Sequence, residues 1–207
     1  MKTSSERIGR EFYKDDVIDV SQKLIGKLLC RKFSDGTIKK FRINETEAYR
    51  GPEDLACHAA KGKTERTKAF FLEGGHLYVY MCYGIHWLIN IVTGNPDQPQ
   101  ACLIRGIETA PGPGRVGSRL EISKDLYGID LCTSDIMWLE DDGVEWDYIS
   151  TPRIGIDYAG EPWISKPWRY YHETEESKKV APKIGKPKKM KISKSKKQRL
   201  ADDSYSD

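Results

Sequence analysis

Glu45-Thr46-Glu47-Ala48-Tyr49-Arg50-Gly51-Pro52-Glu53-Asp54 spaces two carboxylates and an aromatic ring at alternate positions, then stops at a Gly-Pro turn. Alternate side chains of a strand share a face, so Glu45, Glu47 and Tyr49 point the same way. A solvated strand face carries charge too. This one differs in ending on a tyrosine beside a sharp turn, with His58 and a tyrosine-rich stretch following. It is also the far arm of a hairpin. Leu28 to Phe33 reads as one strand, Asp35-Gly36 as the turn, and Ile38 to Tyr49 as the return strand. Ahead of it, Asp15 or Asp16 caps a predicted helix running to about Gly26. Val17, Val20, Leu24 and Ile25 give that helix an apolar stripe for the core.

His76 to Thr93 is the most β-like stretch, and Gly84 divides it into two strands meeting near Tyr83-Gly84. Tyr78 reads as a core residue. Tyr83 falls at a hairpin tip, where a large aromatic is hard to bury. Ala101 to Ile107 is a further strand with Arg105 among apolar neighbours; that cation needs an anionic partner, either Glu47 or a ligand phosphate. Pro111-Gly112-Pro113-Gly114 is a rigid loop before a short helix. Pro152 to Ile156 opens a last strand region ending near Tyr171, and Glu140-Asp141-Asp142 reads as a solvated acidic turn.

The 207 residues suit a single domain. Hydrophobic content is only 38%, and the deficit has a location. Lys178 to Arg199 contains eleven Lys/Arg and no Asp/Glu; setting those aside leaves 23 of the 34 basic residues against 31 acidic ones. The net charge of +3 is thus a mildly acidic body plus a strongly basic tail. We expect a single α+β domain over residues 1–173, built on a curved, mainly antiparallel β-sheet with peripheral helices, and a disordered basic tail over 174–207. Cys30, Cys57, Cys82, Cys102 and Cys132 are scattered and contain no Cys-x-x-Cys pair, which argues against a disulfide framework or a zinc ribbon and for a reducing, intracellular setting. The polar N-terminus is not a signal peptide, and no apolar run reaches the ~20 residues of a membrane span.

Within the acidic body, residues 59–68 form a basic loop in which Lys61, Lys63, Arg66 and Lys68 face one carboxylate; it suits phosphates, and equally an ordinary solvated loop. A carboxylate beside an arginine can orient and activate water. Aromatics on two strands with His58 can hold a flat ring, a protruding tyrosine can wedge between stacked bases, and basic segments can hold a phosphate backbone. Hydrolysis of the bond between a base and its sugar, after the nucleotide is turned out of the duplex, uses all of these.

These residues resemble the alkyladenine (3-methyladenine, methylpurine) DNA glycosylase family. The resemblance runs in order over residues 8 to 171, through Glu45–Tyr49, Gly51–Asp54, His58, Tyr78-Val79-Tyr80, Tyr83-Gly84, Asn90, Leu103–Glu108, Gly112–Gly114, Pro152–Ile156, Ala159–Glu161 and Pro167–Arg169. It implies a DNA-repair enzyme that excises alkylated or deaminated purines from double-stranded DNA and leaves an abasic site. It also implies a role at each matched position. Glu47 would be the general base, which alternation alone does not separate from Glu45. Arg105 would steady the attacking water and a phosphate. Tyr49, His58 and Tyr80 would line the base pocket, Asn90 its floor, and Tyr83 would fill the gap left in the duplex. No lysine in the matched pocket segments offers a Schiff base, so a monofunctional hydrolase is expected, monomeric, without cofactor, metal or membrane. It would work in the cytoplasm or nucleoid of a bacterium or the nucleus of a eukaryote.

Two departures stand out. Only three residues separate Glu108 from Gly112, where relatives of this kind carry a longer segment, and Thr67 stands where many have asparagine. The rival readings are a non-catalytic nucleic-acid-binding module, with the glutamates as surface charge, and a hydrolase acting on RNA or nucleosides. Removing residues 174–207 should weaken binding to all DNA and flatten its salt dependence without abolishing chemistry, as a salt titration of the truncated chain will show.

Overall fold

A computed structural model describes residues 4–173; the basic tail lies outside the described residues. The predicted hairpin forms, with β2 (Leu28–Lys32) paired to the thirteen-residue β3 (Ile38–Arg50). The remaining strands are β1 (Glu6–Arg7), β4 (Leu77–Cys82), β5 (His86–Val92), β6 (Gln100–Ile107), β7 (Ala110–Pro111), β8 (Met137–Asp141), β9 (Ile149–Thr151) and β10 (Arg169–Tyr171). Every pairing is antiparallel, in the order β1-β8-β2-β3-β6-β5-β4, with β10 joining β3 and β9, and β7 joining β6. The α+β reading holds: one antiparallel sheet with two short helices, α1 (Val17–Lys23) and α2 (Pro113–Arg119), against it.

β3 is the spine. Its first half pairs with β2, and along Glu45–Glu47 β10 takes over that edge while β6 holds the other. Two register shifts interrupt the β3–β6 ladder, one leaving Asn44 and the other Arg105 without a cross-strand partner. The first reverses which parity faces the core. Phe41 and Ile43 are core residues before it, and Ala48 is one after it, with the Thr46 hydroxyl donating to Ser21 of α1 at 2.9 Å. Glu45, Glu47 and Tyr49 are thereby turned to the opposite face. The second shift re-aims Arg105 towards them, which is what bulges beside active sites do.

α1 starts where the sequence places it, with the Asp16 carboxylate accepting from the Ile18 N–H at 2.9 Å. It ends at Lys23 rather than Gly26, but Val17, Val20, Leu24 and Ile25 are all buried as expected. Pro113 opens α2, where its missing N–H costs no hydrogen bond. Two expectations are corrected. Pro152–Ile156 is not a strand; it is a loop between β9 and β10. Glu140-Asp141-Asp142 is not a solvated turn. Glu140 is buried at the end of β8, accepting from Lys40 at 2.5 Å and the Trp138 indole at 2.7 Å, while Asp142 takes Arg42 in two contacts of 2.6 and 3.1 Å. Residue types alone do not say which strand end is packed over by a neighbour. Among the described residues no helix is long and apolar enough to cross a membrane.

α2 lies on β5, close enough that a Cβ at Gly117 would stand 1.9 Å from the Trp87 carbonyl oxygen. Backbone cannot yield as a side-chain tip can. Gly117→Ala should therefore lower unfolding free energy by about 1–3 kcal/mol, measured by denaturant titration.

Candidate active site

The bulged face of β3 opens into a cavity of about 390 Å³. β3 supplies Glu47 and Tyr49, the turn after it His58, β4 Tyr78 and Tyr80, β5 Asn90, β6 Arg105, and the β9–β10 loop Ile154 to Ile156 and Tyr158.

The Glu47 side chain is 0% exposed. Its Oε1 accepts from the Ile154 backbone N–H at 2.8 Å and lies 3.5 Å from Arg105 Nη1; its Oε2 accepts from the Tyr49 hydroxyl at 2.8 Å. Glu45, two residues away, is committed elsewhere: its Oε1 accepts from Arg105 Nε at 2.8 Å and Arg169 Nε at 2.6 Å. Glu47 lines the cavity and Glu45 does not, a distinction that alternation leaves open. Burial works against the Arg105 charge, but Glu47 and Glu45 overcome it and hold its pKa above the ordinary value. Burial, reinforced by the Glu47 charge, pushes the Tyr49 phenol well up, so it stays a donor to that carboxylate.

Tyr78, Tyr80 and His58 make the aromatic wall. Tyr78 is fully buried, as its core reading requires, and stacks on Tyr80 with centroids 5.5 Å apart. Its hydroxyl does more than the sequence suggests, sharing a 2.9 Å hydrogen bond with His58 Nδ1. His58 and Tyr80 meet edge to face, 4.6 Å apart at 77°, so a flat ring stacked on one meets the edge of the other. Burial, aided by the Arg66 charge, lowers the His58 pKa to about 4, so the ring is neutral at pH 7. Asn90 is buried at the cavity floor, its Nδ2 donating to the Tyr78 carbonyl at 3.2 Å.

Tyr83 stands at the β4–β5 tip, 93% exposed, with φ 52° beside Gly84 at φ 73°. Both positive φ values belong to the tight turn closed by the Ile85 N–H donating to the Cys82 carbonyl at 3.2 Å. Of the loop cations, only Arg66 lines the cavity, its guanidinium 5.7 Å from the Tyr80 ring. Lys63 lies 3.6 Å from Asp97, Lys68 is bonded to Glu65 at 2.9 Å, and Lys61 is exposed. Thr67 is a loop-shaping residue: its hydroxyl donates to the Gly62 carbonyl and accepts from the Thr64 N–H, each at 2.9 Å. No group of three or more His, Cys, Asp or Glu side chains among the described residues is placed to hold a metal.

Three features escape the sequence reading. Tyr158 lines the mouth with its hydroxyl donating to the Ala56 carbonyl at 3.1 Å. The Ile154 N–H is a ligand of Glu47. Asp54 and Arg153, both with fully enclosed side chains, form a two-armed ion pair at 2.5 and 2.9 Å behind Tyr49. Their segments stand out as motifs, but spacing gives no hint that loops a hundred residues apart close on each other.

A small cavity with a buried carboxylate among aromatic walls defines an enzyme site for a flat heterocycle. The methylpurine-DNA glycosylase family model matches residues 11–111 and 108–176, breaking at the short Glu108–Gly112 connection. Similar curated proteins, each provisionally named a 3-methyladenine DNA glycosylase, include those of Methanocella arvoryzae (38% identical, covering 78% of this chain and 90% of the relative), Bdellovibrio bacteriovorus (40%, 78% and 93%) and Chlamydia pneumoniae (39%, 82% and 96%). The chain belongs to the methylpurine-DNA glycosylase family. It is a DNA-repair N-glycosylase for alkylated purines.

His58 gives a pH test. Its folded pKa of about 4 lies below the ordinary 6.5, so unfolding takes up a proton between the two. Its contribution to stability is complete above pH 6.5 and is lost as pH falls towards 4. Melting temperature followed over that window should fall more steeply for the wild type than for His58→Gln.

Proposed function

We propose that this protein turns an alkylated purine nucleotide out of double-stranded DNA and hydrolyses its N-glycosidic bond as a monomeric, monofunctional enzyme. Glu47 is the general base. It takes a proton from water as the water oxygen bonds to C1′; the C1′–N bond breaks, its electrons leave with the purine, and an abasic site remains. Arg105 steadies the water and the adjacent phosphate. Tyr49, His58 and Tyr80 hold the extruded base, Asn90 reads it at the floor, and Tyr83 occupies the vacated space in the duplex. Arg66, with Lys61, Lys63 and Lys68, faces the phosphate backbone, and the cations of 178–199 add sequence-independent attraction.

The observation that carries this reading is the fully enclosed Glu47 carboxylate on the cavity wall, held by the Ile154 N–H and the Tyr49 hydroxyl. A binding module with surface glutamates does not account for it. Stacking at ~1–3 kcal/mol per base is comparable with the few kcal/mol that extrusion costs. The leaving group sets the substrate preference. His58 is neutral at pH 7 and the Tyr49, Tyr78 and Tyr80 phenols are pushed up, so none of these groups protonates a departing base readily. Purines already cationic through alkylation leave without such help, and deaminated, neutral ones gain less from this site. No lysine is among the described residues lining the cavity, which favours water over an amine as nucleophile.

Single-turnover release of methylated purines from alkylated duplex DNA tests the assignment. Glu47→Gln should bind the duplex normally and release base about 10²–10⁴-fold more slowly. Release at the wild-type rate overturns the role of Glu47.

A further inference from the structure

Both hydrogen bonds that orient Glu47 lead back to one side chain. The Oε1 contact comes from the backbone N–H of Ile154, the residue after Arg153. The Oε2 contact comes from Tyr49, whose ring lies 4.7 Å from the Arg153 guanidinium carbon. The guanidinium carbon is also 5.1 Å from the Trp168 ring.

Arg153 is tied to three stretches of chain at once. Its Nη1 donates to Asp54 Oδ2 at 2.5 Å and to the Ala48 carbonyl at 2.9 Å; its Nη2 donates to Asp54 Oδ1 at 2.9 Å. Asp54 in turn accepts from the backbone N–H groups of Arg50 at 3.2 Å and Ala56 at 3.0 Å, shaping the turn that leads from Tyr49 to His58. The end of β3, the turn carrying His58 and the loop carrying Ile154 thus converge on one buried pair.

Stability alone is a poor reason for such a pair. Enclosing two charges costs several kcal/mol per ion, and well-packed apolar residues often do as well or better. Here one Arg153 nitrogen, Nε, is buried with no hydrogen-bond partner among the described residues, a further cost. What a planar fork offers and apolar packing does not is direction: two parallel bonds to a carboxylate and a flat face for an aromatic ring.

We propose that Arg153, locked by Asp54, is the positioning residue for the reaction. It holds the Ile154 N–H and the Tyr49 ring so that Glu47 presents its carboxylate to the attacking water. Arg153 itself touches neither water nor substrate. The inference rests on the reading of Glu47 as general base.

Arg153→Lys keeps the charge beside Asp54 but loses the fork and the flat face. A rate and an affinity are compared per folded molecule below the melting transition: single-turnover base release from alkylated duplex, and binding of an uncleavable duplex containing a tetrahydrofuran abasic analogue. A small misplacement of a catalytic group is enough to cost about 10²-fold in rate, and that loss is expected with affinity held within about twofold. The double variant Asp54→Asn with Arg153→Gln leaves no unpaired buried charge and should show the same split if the lysine variant folds poorly. Release at the wild-type rate in a folded variant overturns the proposal. So does a proportional loss of rate and affinity, which marks the pair as a structural staple. Wild-type and Glu47→Gln controls separate the two readings. If Glu47→Gln is as fast as wild type, the general-base assignment fails; if only the Arg153 variants are, the positioning role alone fails.

Discussion

A carboxylate taken wholly out of water costs several kcal/mol unless its oxygens are met by donors and positive charge, and the molecule is arranged around meeting that demand at Glu47. The donors do not come from its own strand alone. Tyr49 is two residues along, Arg105 is on the neighbouring strand, and Ile154 is on a loop more than a hundred residues away. Three carboxylates (Glu45, Glu47, Asp54) and three guanidiniums (Arg105, Arg153, Arg169) sit within this one region, so charge is balanced locally. Loss of one member leaves another uncompensated, so these segments are held in specific mutual directions that apolar packing alone does not impose.

The sheet supplies the aim. An unbroken alternation along β3 would put Ile43, Glu45 and Glu47 on one face, an apolar residue and two acids in conflict. The bulge at Asn44 resolves it by sending Ile43 to the core and the two glutamates to the opposite face, where Glu47 lines the cavity. The matching irregularity on β6 releases Arg105 from the ladder and lets it face them. α2, pressed against β5 at Gly117, steadies the strand pair whose tip carries Tyr83. The two strand irregularities set directions.

The chemistry follows from environment more than from residue type. The same burial that keeps Tyr49 a donor also keeps His58 neutral. The cavity thus combines an enclosed carboxylate and aromatic walls with a neutral imidazole and phenols that hold their protons. At its rim Tyr83 stands exposed in a left-handed conformation at the hairpin tip.

Strands β2 to β6, the capped helix and the hairpin tip were legible in the sequence because they depend on neighbours: alternation for Ile38–Tyr49, an aspartate before Val17, a glycine after Tyr83. The family motifs added Glu47, Tyr49, His58, Tyr80, Asn90 and Arg105 as a set, and the fold gathers all six about one cavity. Only the tertiary structure decided that Glu47, and not Glu45, faces that cavity, that Pro152–Ile156 is a loop delivering a backbone donor, and that Asp54 meets Arg153. A bulge leaves no mark in alternation, a backbone N–H has no residue identity, and an ion pair across a hundred residues is a property of the closed chain. Periodicity carries local geometry, whereas the orientation of a buried charge depends on everything that surrounds it.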